Sequence, residues 1–146
     1  MKLIRWTSLC LLLCTGCIST PFDFNAYEAK AVGAAQGVLS AVNSARLAVH
    51  LGAKGKSYQP YLEVILRESE EDATGIEGQF DSVQPPGPDS DALRDELDKM
   101  MQTAGATLTE LRIHVRRGEI QQLADLARPL NGVSSALDEF QRSHEH

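Results

Sequence analysis

Residues 25–50, NAYEAKAVGAAQGVLSAVNSARLAVH, contain the pattern that decides the fold. Apolar side chains recur there in steps of three and four residues, at Tyr27, Ala31, Ala34, Val38, Val42, Ala45 and Val49. This spacing places them on one face of an α-helix. Asn25 with Glu28 has the form of a helix-capping box, and Gly52 and Gly55 mark the end of the helix. The stretch therefore predicts an amphipathic first helix.

Three further stretches repeat this helical period. The second stripe consists of Tyr58, Tyr61, Leu62, Ile65, Leu66, Ala73, Ile76 and Phe80. The third, beyond a Pro-rich run at 84–88, consists of Leu93, Leu97, Met100 or Met101, Ala104, Leu108, Leu111 and Val115. The fourth consists of Ile120, Leu123, Leu126 or Ala127, Leu130, Val133, Leu137 and Phe140. Since no stretch alternates as a β-strand does, the pattern predicts an all-α chain.

Pro129 lies inside the fourth stretch, where an interior proline costs about 3 kcal/mol. We expect this helix to be either kinked or split near Pro129, and we favour the kink. Four stretches of similar length with short connections suit an antiparallel, up-down-up-down four-helix bundle. The predicted bundle covers 25–143, and 144–146 is predicted to be a frayed tail.

Residues 1–17 have the layout of a bacterial export signal. Lys2 and Arg5 precede a short apolar run at 9–13, and two small residues stand directly before Cys17. The apolar run is too short to span a bilayer as a helix. This layout predicts that the segment directs export and does not form part of the folded domain.

The same segment resembles the lipobox signal of bacterial lipoproteins, although Cys14 stands where those signals usually have leucine or another aliphatic residue. The resemblance implies that 1–16 are removed as a signal peptide and that Cys17 becomes a lipidated N-terminus. Residues 17–24 would then be a short tether to the membrane. Because Ile18 follows the cysteine, the resemblance implies a periplasm-facing place on the outer membrane, or on the plasma membrane surface in a Gram-positive cell.

Composition limits the classes of function open to the chain. About 130 of the 146 residues remain after cleavage, enough for one domain. All three cysteines lie at or before Cys17, so the mature chain has no disulfide. Loss of Lys2 and Arg5 takes the basic residues from 14 to 12 against 20 acids, which changes the formal charge from −6 to −8. That acidic balance argues against a nucleic-acid partner.

The sequence has no motif for catalysis or cofactor binding. A GxSxG elbow, a phosphate-binding glycine loop and paired CxxC motifs are all missing. We therefore expect neither catalysis nor a cofactor. His50 and His114 should lie at one end of an up-down-up-down bundle and could share Zn or Cu there. We favour the other interpretation, in which they are two surface histidines near helix ends and no metal is bound.

The first helix carries no charge between Lys30 and Arg46. Its non-stripe positions, which we call the uncharged strip, are Gly33, Gln36, Gly37, Ser40, Asn43 and Ser44. A solvated helix face normally carries Lys and Glu. The strip could therefore contact a protein partner or a second copy of the chain. The competing interpretation, slightly favoured, is a central helix packed on more than one side.

Charges divide between the two ends of the predicted bundle. Acids, including the run at 70–72, fall mostly in the half near the tether. Cations at the far end form a basic tip, where an anionic partner could dock. The basic tip consists of Lys54, Lys56, Arg112, Arg116 and Arg117. Solvated helix faces are the default interpretation of such charges.

Together these features predict a lipid-anchored envelope protein that is a non-catalytic structural or protein-interaction module. The alternative is a small-ligand or metal carrier of the periplasm.

Overall fold

The computed structural model describes residues 23–145. The predicted signal peptide and Cys17, with all of the tether except its last two residues, lie outside the described residues. Five α-helices follow in order: α1 (Phe24–Ala53), α2 (Gln59–Asp81), α3 (Pro88–Arg116), α4 (Leu123–Leu126) and α5 (Arg128–His144). A 3₁₀ turn at Ile120–Gln122 leads into α4. Since 23–145 contain no strand, the all-α prediction is confirmed, with five helices where four were expected.

The two ends of the helical domain differ from the sequence prediction. Asp23, not Asn25, caps α1, because its Oδ1 accepts a hydrogen bond of 2.7 Å from the backbone N–H of Ala26. Glu28 is buried, and its Oε1 lies 2.7 Å from Nδ1 of His144. His144 is thus the last residue of α5 and packs against α1, whereas the sequence placed it in a frayed tail.

The fourth apolar stretch is split, not kinked as we favoured. A single turn, α4, ends at Leu126, and α5 starts two residues later at Arg128. Pro129 then occupies the first turn of α5, where its missing N–H would have no partner in a helix anyway. The proline therefore starts a helix and does not interrupt one.

Contacts between side chains show how the long helices run. A Cβ added to Gly52, at the end of α1, would lie 2.8 Å from Leu62, near the start of α2. At the other end of these two helices, the rings of Tyr27 and Phe80 lie 5.4 Å apart. Helices α1 and α2 are therefore antiparallel. Nε2 of Gln59 donates a 2.9 Å hydrogen bond to a carbonyl at the end of α3, so α2 and α3 are antiparallel as well.

Helices α1 and α3 form the centre of the molecule. They pack against each other, and α2 and α5 each pack on both of them and not on one another. Most of the buried apolar side chains come from the four predicted stripes, and Ala35, Ala41 and Ala48 widen the buried face of α1. Tyr58 and Tyr61, at the start of the second stripe, are exposed. Among the described helices, none combines the length and the apolar character needed to cross a bilayer.

Candidate functional site

The uncharged strip lies on the surface of the molecule even though α1 is a central helix. Gly33, Gln36, Ser40 and Ser44 are exposed, and Gly37 is half-buried. Leu47 continues the same face one turn beyond Ser44 and leaves 60% of its area exposed. The strip is therefore open to solvent in the described part of the chain, although α1 contacts all four other α-helices.

A groove runs beside the strip, between α1 and α2. It encloses about 510 Å³, and small residues of the strip form its α1 wall, with Ala41 below them. Its α2 wall carries three acids, and the apolar side chains of Ile65 and Ile76 complete the lining. The acids are Glu68, Glu71 and Asp72. We call this feature the α1–α2 groove.

Small residues on both helices leave space between α1 and α2. At Gly37 the two helices approach closely, since an added Cβ would lie 2.6 Å from Cδ1 of Ile76. At Gly33 and Gly75, by contrast, an added Cβ would meet no heavy atom within 4 Å. The groove continues past Ile76 and Gln79 into a smaller hollow of about 300 Å³ at Lys30 and Gly33. The groove and this hollow, which share Ile76 and Gln79 in their lining, together follow the strip for most of its length, and we call the two together the channel.

Asn43 differs from the rest of the strip because it takes part in the packing of α5. Its Oδ1 accepts hydrogen bonds from Arg46, at 2.9 Å, and from Ser134, at 3.0 Å. Arg46 also donates to Asn131, at 2.9 Å. This polar network ties α1 to α5, so Asn43 has a structural role that the sequence did not reveal.

The structure brings most of the predicted basic tip together. Lys54 and Lys56 are exposed after α1, and Arg116 and Arg117 are exposed at the end of α3. The Gln59 hydrogen bond to the end of α3 places both segments at the same end of the molecule. Four of the five predicted cations therefore share this end.

Arg112 is the exception, because it pairs with Glu70 across the α2–α3 contact. Its Nε–H donates to Oε2 of Glu70, and Thr109 donates to Oε1 at 2.8 Å. Burial acts to raise the pKa of Glu70, but these hydrogen bonds and the Arg112 charge lower the pKa overall. The pair gives Glu70, which lies at the middle of α2, a partner on α3.

The two candidate metal-binding histidines have different surroundings. His50 is exposed beside Ala124 and Ala127, at a hollow between α1 and the α4–α5 break. Nδ1 of His114 lies 2.5 Å from Oε2 of Glu119, without the angle of a hydrogen bond. Within residues 23–145, no three His, Cys, Asp or Glu side chains are grouped so that they could hold a metal ion.

The α2 wall of the groove was missed by the sequence reasoning. The signal was present, because Glu68, Asp72, Gly75 and Gln79 recur in steps of three and four residues and so share a helix face. From the sequence, Asp72 counts only toward the acids of the half near the tether, and Glu68 falls in the far half. The rotation of α2 about its axis places this face beside the uncharged strip. No local sequence pattern determines that rotation.

Comparison of the chain with protein-family models, with curated protein sequences and with solved structures found no match.

Proposed function

We propose that the chain is a lipid-anchored protein of the cell envelope and works as a non-catalytic structural or protein-interaction module. The observation that carries the proposal is the exposed, uncharged strip of α1 beside an open groove. Charged side chains normally keep such a surface solvated. A face with no charge over four turns of helix is better suited to contact another protein.

The proposal treats the helices as an antiparallel, up-down-up-down bundle in which α4 and α5 together take the place of a fourth long helix. The antiparallel contacts of α1 with α2, and of α2 with α3, support that arrangement. A rigid bundle would present the strip at a fixed distance from the membrane. The anchor is proposed at Cys17, on the outer membrane facing the periplasm, or on the plasma membrane surface of a Gram-positive cell.

Anchoring is tested by Cys17→Ser. The variant should lose incorporation of labelled palmitate and accumulate as an uncleaved or soluble precursor, because no acyl chain can be attached to serine in the same linkage. Acyl labelling and membrane fractionation measure this. A Cys17→Ser protein that still takes up palmitate and sediments with membranes would overturn the lipobox interpretation.

Interaction is tested with a photo-crosslinking residue at Ser40 in growing cells. The matched control is the same residue at Gln102, which is exposed on α3. A discrete protein adduct from position 40 only is expected, and adding Ser40→Glu to a crosslinker at Gln36 should reduce it. Since both positions are exposed, the melting temperature should hardly change. No adduct at either position would contradict the interaction module.

Metal analysis of the protein purified without a tag separates this function from a metal carrier. Stoichiometric bound Zn or Cu would favour the carrier.

A further inference from the structure

We propose that the α1–α2 groove receives an amphipathic α-helix of another protein, with small or apolar residues on the buried face and Lys or Arg along the edge that meets α2. This inference rests on the proposed function and names the kind of partner that it requires. Three properties of the groove support it: its shape, its charge and the chemistry of its two walls.

The shape fits a helix of about three turns. Residues 33–44 of α1, which flank the channel, span about 17 Å at 1.5 Å per residue. The glycine and serine residues along that wall let the backbone of a partner helix approach closely. Ala41, Ile65 and Ile76 form an apolar floor. Residues 23–145 have no strand edge to which an extended peptide could add, which favours a helix lying in the groove over strand addition.

The negative charge of the groove favours a partner helix with basic residues. The α1 wall has no charge, whereas the α2 wall has Glu68, Glu71 and Asp72. Arg67 pairs with Glu71 at 3.0 Å and with Glu68 at 3.6 Å, but about half of its side chain is exposed. Exposed pairs of this kind contribute little to stability, so a partner cation can replace Arg67. No ion pair to Asp72 occurs within the described residues.

A second copy of the chain fits the groove less well. Its own strip is uncharged, so the residues between Lys30 and Arg46 would place no cation against the acidic wall. The cation that follows the strip, Arg46, is already bonded to Asn43, Asn131 and Ser134. Two copies would also bring together two molecules with a large negative net charge. The occupant is therefore a different protein with an excess of basic residues on one helix edge.

Two labelled synthetic helices of about twelve residues probe this directly. Both have the same alanine-rich buried face, and their edge positions are all Lys in one and all Glu in the other. Binding to the purified full chain in detergent is measured by fluorescence anisotropy. We expect at least about tenfold tighter binding of the Lys helix at low salt, with a smaller difference at physiological salt, because salt screens exposed charges.

Variants locate the binding in the groove. Gly75→Leu should fill the channel and weaken binding of the Lys helix about tenfold or more, since the side chain would occupy the space the helix needs. Gly78→Leu is the matched control: it makes the same change on α2, also has no neighbour within 4 Å, and does not line the groove. Asp72→Lys should weaken binding, whereas Glu110→Lys, an exposed change on α3, should not.

The outcomes separate the inference from the proposed function. Equal binding of the Lys and Glu helices, or equal losses in the Gly75 and Gly78 variants, would overturn the basic-helix inference. If Ser40 still crosslinked to another protein in cells, the interaction module would stand without it. A Ser40 adduct that is a second copy of this chain would also overturn the inference, in favour of self-assembly.

Discussion

Two acids share a single arginine where the end of α2 meets the start of α3. Arg94 lies 3.6 Å from Asp81 and 3.8 Å from Asp98. Burial raises the pKa of Asp98, and the nearby Asp81 raises it further, while Arg94 acts in the opposite direction. Burial likewise raises the pKa of Glu77, with added repulsion from Asp81 and Asp98. Ionised acids here therefore oppose folding at neutral pH.

Asp98→Asn tests this at the scale of one residue. Because the folded-state pKa of Asp98 lies above the ordinary value of 3.8, the folded state binds the proton more tightly than the unfolded state. The contribution of Asp98 to stability thus falls as pH rises from about 4 through the folded-state pKa. The free energy of unfolding of the variant should match that of the wild type below pH 4 and exceed it at pH 7.

Urea denaturation followed by circular dichroism at several pH values measures the difference, with Glu96→Gln, a change at an exposed acid on the same helix, as the control. If the Asp98→Asn variant were instead less stable than the wild type at pH 7, the Arg94 ion pair would outweigh the repulsion.

Single residues were predictable where they were apolar and less so where they were polar. The stripes identified the buried side chains of α1 and α3 because burial follows the 3.6-residue period. Glu28, Glu70 and Arg112 were placed wrongly or left unexplained. Each of them bonds to a residue of another helix, 42 or more positions away in the chain. Such partners depend on packing, which a local pattern does not contain.

At the scale of elements, the break at α4–α5 is where sequence and structure differ most. The apolar stripe continues through the break, since Leu123, Ala127 and Leu130 are all buried. A continuous stripe therefore predicted a continuous helix with a kink. Tertiary contacts of the short α4 with both α1 and α3 allow the chain to turn there while it keeps its apolar side inward.

Pro129→Ala tests the split. In the first turn of α5 the fixed φ of proline restricts the unfolded chain without loss of a hydrogen bond, so the variant should be less stable by under about 1 kcal/mol. Inside one continuous helix the same change would instead add up to about 3 kcal/mol of stability. Thermal and urea unfolding distinguish the two signs. As a control, Ser135→Pro in the middle of α5 should cost about 3 kcal/mol or more.

At the scale of the whole molecule, the proposed anchor and the charges would together define an orientation. A tether of a few residues would hold the start of α1 near the bilayer surface. The 30 residues of α1 span about 45 Å, so the basic tip would lie about that far out into the compartment. Anionic headgroups would repel the acidic end, and the proposed helix-binding groove would lie between the two ends.

The basic tip has four exposed cations, Lys54, Lys56, Arg116 and Arg117. If an anionic partner docks there, changing Arg116 and Arg117 together to Gln should slow its association several-fold at low salt and less at physiological salt, because screening acts on exposed charges within about 8 to 10 Å. A photo-crosslinker at Ala53, exposed at the same end, reports capture in isolated envelopes. Circular dichroism should not change, since neither arginine has an ion pair within the described residues.

The matched control changes Lys99 and Arg142 to Gln, which removes the same charge from exposed positions away from the tip. An equal loss in both double variants would assign the effect to net charge alone. Undiminished capture by the Arg116 and Arg117 variant would leave the cations of the tip as solvating groups at the end of two helices. The groove beside α1 would then be the surface through which this molecule acts.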